Sequence, residues 1–214
     1  MQKYQILKCQ NCGLRFPLTN SVMSDHLHCV SCGAEVESLC FYQNYYQQDK
    51  PVFEKKLKSL VFVLDNIRSA WNVGSMFRSS DASGVEKLFL CGISPTPENA
   101  KVLKTSLGAE KKVAWEYAKD GFELIKVLKK DGYKLIAMEK TANSQSLFNF
   151  SGKSLINEKV AVVLGHEVGG VDPDILDYVD QVLHLPMLGV KNSLNVASVF
   201  SIVAYFMQYC LLKK

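Results

Sequence analysis

The sequence predicts an α/β protein: a mostly parallel sheet in the larger part of the chain, preceded by a small cysteine-paired module. Three observations carry this expectation. Short β-branched or aliphatic runs recur from residue 60 onward, separated by amphipathic segments, as for strands covered on both faces. Two Cys-x2-Cys pairs lie within the first 40 residues. The 214 residues are 48% hydrophobic and 21% charged, which excludes a disordered, collagenous or coiled-coil chain and allows one full domain plus an appendage.

The elements follow in order. Residues 1–40 are turn-rich, and their charges cancel, with Lys3, Lys8 and Arg15 set against Asp25, Glu35 and Glu37. Residues 41–59 open with a Tyr/Gln-rich stretch and contain Pro51, Lys55, Lys56 and Lys58, so they read as a linker or connecting helix. Residues 60–214 form the second domain. Strands are expected at Val61–Leu64, Lys87–Cys91, Tyr133–Met138, Val160–Leu164 and Val182–Leu185. A helix over Asn72–Ser83 stops at Gly84. Another runs from the capping residue Asp120 to Lys130, with Leu124, Val127 and Leu128 on its apolar face. The last, Leu194–Leu212, carries no charge. Asn195, Ser198, Ser201 and Gln208 interrupt it, so it reads as a buried helix with no membrane partner.

Compartment and charge give weaker constraints. The start, Met1-Gln-Lys-Tyr-Gln, has no apolar signal region, and seven cysteines do not form a secreted disulfide framework, so a cytoplasmic protein is expected. The net charge of +4 arises wholly beyond residue 40 and is a mild bias toward polyanions. Lysines cluster at 101, 104, 111, 112, 119, 126, 129, 130 and 134, interspersed with five acids, so most of them read as a solvated face.

Cys9 and Cys12 are separated from Cys29 and Cys32 by sixteen residues, the spacing of a structural zinc site. Each tight loop presents two thiolates on one side, and two such loops complete a tetrahedral shell. Gly13 and Gly33 follow the second cysteine of each pair, where the chain turns away. A 40-residue unit has too little core to fold alone, and a metal would supply the missing stabilisation. Four reduced buried thiols or a redox pair are the alternatives. His26 and His28 could substitute as ligands, and Cys40, Cys91 and Cys210 read as inert core thiols.

Three further segments sit at the C-terminal ends of expected strands, where α/β sheets place their ligands. They are Asn72-Val-Gly-Ser-Met-Phe-Arg78, Gly165-His-Glu-Val-Gly-Gly170, and the stretch from Leu185 to Val196 containing Pro186, Met187, Gly189, Ser193, Leu194 and Asn195. In this order the chain resembles the SPOUT superfamily, in particular its SpoU/TrmH family of S-adenosylmethionine-dependent RNA ribose 2′-O-methyltransferases, over about residues 60–212. His166 departs from the Asn or Ser common at its position, and Val199 from the small residues common after Ser198.

The resemblance implies a C-terminal segment threaded through a loop as a trefoil knot, a homodimer with parts of both subunits near the site and in contact through the last helix, and tRNA or rRNA as substrate. It implies a catalytic set of Asn72, Arg78, Glu167, Ser193 and Asn195. The cofactor-binding set it implies is Met138, Gly165, Glu167, Gly170, Leu185, Met187, Gly189, Ser193 and Leu194. Arg78 is expected on the RNA side, holding a phosphate and stabilising the forming alkoxide, because a guanidinium stays charged. Glu167 is expected to orient the site by accepting hydrogen bonds. Asn72 would tie the first loop to the third, and Ser193 would cap the last helix. A Gly-x-Gly-x-x-Gly fingerprint is absent, which argues against a Rossmann-type pocket. The other readings are a non-catalytic RNA- or ribosome-binding adaptor retaining the fold, and a tail-anchored membrane protein.

Overall fold

The structure, a computed structural model, describes residues 3–19, 27–43 and 57–209, and the chain divides into two compact units, Met1–Phe53 and Glu54–Lys214. His26, residues 44–56 of the expected linker, and Cys210 at the end of the expected last helix lie outside the described residues.

In the first unit, β1 (Lys3–Cys9) is the middle strand of an antiparallel sheet. β2 (Arg15–Thr19) lies on one side and β3 (Val36–Gln43) on the other. The strand β3 thus continues into the first residues of the expected linker. A register shift falls at Ile6/Leu7. Each cysteine pair forms the same turn: Cys9 N donates to Leu14 O (2.8 Å) and Cys29 N to Ala34 O (2.8 Å), while Gly13 and Gly33 adopt φ of 74° and 73°. That left-handed conformation suits glycine and lets both turns close over their first cysteine.

The second unit alternates strand and helix through β4 (Ser59–Asp65), α1 (Ala70–Ser83), β5 (Lys87–Cys91), α2 (Ala100–Ser106), β6 (Ala114–Ala118) and α3 (Gly121–Lys130). It continues with β7 (Tyr133–Met138), the two-residue β8 (Gln145–Ser146), β9 (Lys159–Leu164), α4 (Pro173–Tyr178), β10 (Gln181–His184) and α5 (Val196–Tyr209). The strands form one sheet in the order β6-β5-β4-β9-β7-β10-β8, and every pairing is parallel. All of β4 is buried, as a central strand covered on both faces requires. Residues of α1, α2 and α5 pack on one face of the sheet and residues of α3 and α4 on the other. Phe62 of β4 meets Phe200 of α5 with ring centroids 4.3 Å apart.

The expected strands Lys87–Cys91 and Tyr133–Met138 recur to the residue, and the other expected strands and helices recur with one or both ends shifted. Ser69 caps α1, accepting from Asn72 N, and Gly84 ends it at φ 75°. Asp120 caps α3, accepting from Phe122 N and Glu123 N. Its buried face is Gly121, Ile125 and Leu128, whereas Val127 is exposed, so the expected apolar face is rotated by about one residue. The edge strand β6 lies outside the expected strands. Its sequence Ala-Trp-Glu-Tyr-Ala is mostly exposed and lacks the aliphatic run that marks a central strand. α5 spans 14 residues and begins at Val196 rather than Leu194. No helix among the described residues is long and apolar enough to cross a membrane. Nor is α5 buried all round, since Ser198, Ile202 and Tyr205 form an exposed stripe.

Candidate active site

The strands β4, β9, β7 and β10 are neighbours in the sheet, and their C-terminal ends open into one place. An open cleft of about 770 Å³ lies there, with a smaller hollow of about 120 Å³ lined by several of the same residues. The larger volume falls in the range of small-molecule sites. Of the expected cofactor set, Met138, Gly165, Glu167, Gly170, Ser193 and Leu194 line the cleft, as does Asn195. Leu185 and Met187 line the smaller hollow together with Met138, Ser193 and Leu194. Gly189 lines neither, and a Cβ added there would meet nothing within 4 Å.

The turn after β9 is closed by a reciprocal pair of backbone bonds, His166 N to Gly170 O (2.9 Å) and Gly170 N to His166 O (2.8 Å). A Cβ on Gly165 would lie 2.2 Å from Gly170 O, so only glycine permits this closure. His166 Nδ1 accepts from Val168 N (3.1 Å) and Gly169 N (2.9 Å). An Asn or Ser can cap such a turn with a side-chain oxygen, and the histidine does so with its ring nitrogen. With both donors aimed at Nδ1, the neutral ring carries its proton on Nε2.

The turn presents Glu167 to the start of α1. Its carboxylate accepts from Arg68 N (2.8 Å), Ser69 N (3.1 Å) and Asn72 Nδ2 (3.0 Å). Asn72 Oδ1 accepts from Asn195 Nδ2 (3.1 Å), and Asn195 Oδ1 accepts from Ala197 N (2.8 Å). The chain fixes its own amide orientations, because only an oxygen can face Ala197 N and only a donor can face Glu167. One network therefore ties together loops about 95 and 123 residues apart. Burial opposes ionisation of Glu167 most strongly, yet the hydrogen bonds from Arg68 N, its own N–H, Ser69 N and Asn72 together hold its carboxyl below the usual range. An anion at the first turn of α1 also complements the helix dipole.

Two expectations about placement change. Asn195, not Ser193, caps α5, because its side chain is the one that reaches the free amide of Ala197. Ser193 is exposed and lines the cleft two residues earlier. Arg78 is exposed on α1 and lines neither the cleft nor the hollow, and no hydrogen bond or ion pair engages it among the described residues.

Glu139 belongs to none of the sequence motifs. It follows β7, lines both cavities, and accepts from Val171 N (3.1 Å) and Lys140 N (2.9 Å). It thereby clamps the loop after β7 to the Gly-Gly turn after β9. The available signal was an acid directly after an expected strand, the same position that marks the other site loops.

In the first unit the thiols of Cys9, Cys12, Cys29 and Cys32 lie within 4.8 Å of one another. Cys9 Sγ is 3.5 Å from Cys32 Sγ, and Cys12 Sγ is 3.6 Å from Cys29 Sγ. Backbone amides point at the sulfurs, Cys12 N at Cys9 Sγ and Ser31 N at Cys29 Sγ, each at 3.4 Å. Hydrogen bonding, chiefly from the backbone of Ala34, draws the Cys32 thiol down to about 6.

A profile of the SpoU rRNA Methylase family matches residues 59–205. The chain is 30% identical over 157 residues to a tRNA (guanosine(18)-2′-O)-methyltransferase of Aquifex aeolicus, covering 73% of this chain and 72% of that protein. It is 27% identical over 159 residues to the 23S rRNA (guanosine(2553)-2′-O)-methyltransferase RlmP of Bacillus subtilis, covering 72% of this chain but only 61% of the relative. The fold also matches the SpoU methyltransferase AviRb from Streptomyces viridochromogenes, solved with the cofactor AdoMet, at a TM-score of 0.62 and 20% identity over 81% of this chain and 68% of that one. A match across the whole strand-and-loop framework that builds the cleft makes this chain a member of the SpoU rRNA Methylase family.

Proposed function

We propose that this chain transfers a methyl group from S-adenosylmethionine to a ribose 2′-hydroxyl of tRNA or rRNA, acting as a cytoplasmic homodimer whose 185–195 segment is threaded through the loop after β7. The observation that carries the reading is the Asn195–Asn72–Glu167 network, which joins three separate loops at a cleft of cofactor size. The names of the relatives support the substrate class.

When bound, S-adenosylmethionine supplies an electrophilic methyl group on a sulfonium. Met138, Gly165, Gly170, Ser193 and Leu194 would hold it, with Leu185 and Met187 at the smaller hollow. Backbone groups at glycine turns admit a ligand closely where side chains would not. Glu167 fixes the first turn of α1 and gives the cleft a negative charge that favours a cation. A ribose hydroxyl is a very weak acid, so positioning and charge stabilisation contribute most of the acceleration. Arg78 cannot serve as a base, because its guanidinium does not deprotonate. It binds the phosphate beside the target ribose and stabilises the developing alkoxide. That it is exposed and lines neither cavity of its own subunit supports a site completed by the second subunit.

The four cysteines suit a structural zinc. Zn–S bonds of about 2.3 Å in a tetrahedron put sulfurs roughly 3.8 Å apart, close to the separations present.

Transfer of labelled methyl groups to total RNA, followed by nucleoside analysis, tests the reaction. Ribose-methylated nucleosides are expected, and methylated bases would overturn it. Calorimetry without S-adenosylmethionine binding would favour the adaptor reading. Arg78→Ala should lower turnover about 100-fold or more, with cofactor affinity within about twofold. Equal loss of both would overturn its assigned role.

A further inference from the structure

Residues 68–112 carry seven basic residues against four acids. Salt bridges among the described residues engage Lys87, Lys126 and Lys129. Arg68, Arg78, Lys101, Lys104, Lys111 and Lys112 have no ion-pair partner there, and all six are exposed. Trp71 sits among them with 49% of its surface open, a large apolar ring left in water. The acid nearest in sequence to Lys111 is already engaged, since Glu110 accepts the Ser106 hydroxyl at 2.6 Å.

The fold turns these residues into one ridge. A Cβ on Gly74 would lie 2.0 Å from Thr105 Oγ1 and 2.3 Å from Val102 O, so α1 and α2 cross there in backbone contact. Thr105 also donates its hydroxyl to Trp71 O at 3.1 Å. Residues three and four apart share a helix face, so Trp71 and Arg78 flank the crossing on α1. Lys101 and Lys104 neighbour the contact residues Val102 and Thr105 on α2. The start of the same α1 helix is pinned to the cleft through Arg68 N and Ser69 N on Glu167. The ridge therefore begins at the cleft rim. Cations without partners suit a phosphate backbone, and an open indole suits a base face.

We propose that this α1–α2 ridge is the surface that holds the RNA, with Trp71 stacking on an unpaired base beside the target nucleotide and Lys101 and Lys104 neutralising the phosphates that follow. The proposal rests on the RNA-methylation reading above and names the surface that serves it. Basic character alone would not select this face, because α3 on the other side of the sheet is also lysine-rich. There, however, Lys126 and Lys129 are already paired.

The test uses the full chain and total RNA from cells deleted for its gene. Trp71→Ala and the pair Lys101→Glu/Lys104→Glu are compared with the control pair Lys126→Glu/Lys130→Glu on α3. KM for RNA should rise about tenfold in each ridge variant, within the range for a lost stacking or phosphate contact. Cofactor affinity and molecular mass should not change. The lysine pair should also flatten the log–log salt dependence of RNA binding by about 1.4, and Trp71→Phe should restore most of the Trp71→Ala loss. Ridge variants indistinguishable from the control would overturn the proposal. So would loss of RNA affinity together with a fall in molecular mass, which would assign the ridge to contact between copies of the chain. If the wild type transfers no methyl group to RNA, the reaction assignment fails by itself. Binding of a fluorescent single-stranded oligoribonucleotide to the same variants then still decides the ridge.

Discussion

In the first unit only Gln5, Leu7, Cys9 and Cys29 among the described residues are buried, whereas in the second Phe62, Leu64, Phe77, Leu90 and Phe200 are among many side chains sealed from solvent. The contrast separates two ways of holding a chain. The described residues of the three-stranded sheet bury one leucine, too little apolar area to offset chain entropy, and the zinc proposed above would supply the difference at one point. The larger unit spreads the task over two faces of a seven-stranded sheet, where no single contact dominates.

The largest effect that can break this contrast is removal of the zinc proposed above. Chelation, or Cys9→Ser/Cys12→Ser, should unfold the first unit, a loss on the order of 10 kcal/mol, read as lost protease resistance within residues 3–43. The melting transition of the second unit should not move, and a common transition for both would refute the contrast. Phe200→Ala should do the reverse. It removes a ring packed at a tilt against Phe62, costs about 3–5 kcal/mol in urea unfolding, and leaves the cysteine unit intact.

Smaller effects sharpen the picture at the site. Glu167→Gln keeps the side chain's size but loses the charge that three donors face. A charge-assisted network of this kind is worth about 1.5–3 kcal/mol, so kcat/KM should fall roughly 10- to 150-fold. Unchanged kcat/KM would remove Glu167 from the site's organisation. The smallest effect is in pH. Because the folded carboxyl titrates below its unfolded value near about 4.3, its contribution to stability is present above that pH and is lost as pH falls through the folded value. Glu167→Gln should lack this part of the acid limb, and superimposable limbs for the two proteins would contradict the shift.

Legibility followed the range over which a signal acts. The strands Lys87–Cys91 and Tyr133–Met138 were readable to the residue, because a buried parallel strand writes its apolar run locally. The exposed edge strand β6 has no such run and exists through pairing with β5. Asn72, Glu167 and Asn195 were readable as motif members, but their order of donation was not. Glu139 was not readable at all, since its meaning lies in an amide 32 residues away.

By itself the sequence determined the pairing of the four clustered cysteines, the strand-and-helix rhythm and the identity of the three loops, because spacing and hydrophobic period are local properties of a chain. Tertiary structure decided that Asn195 caps α5, that Gly74 is a helix crossing, that Arg78 does not line its own cleft, and that Glu167 holds the amides leading into α1. Each of these depends on which atoms approach across the fold, and distances between remote residues are set only when the sheet has ordered its strands.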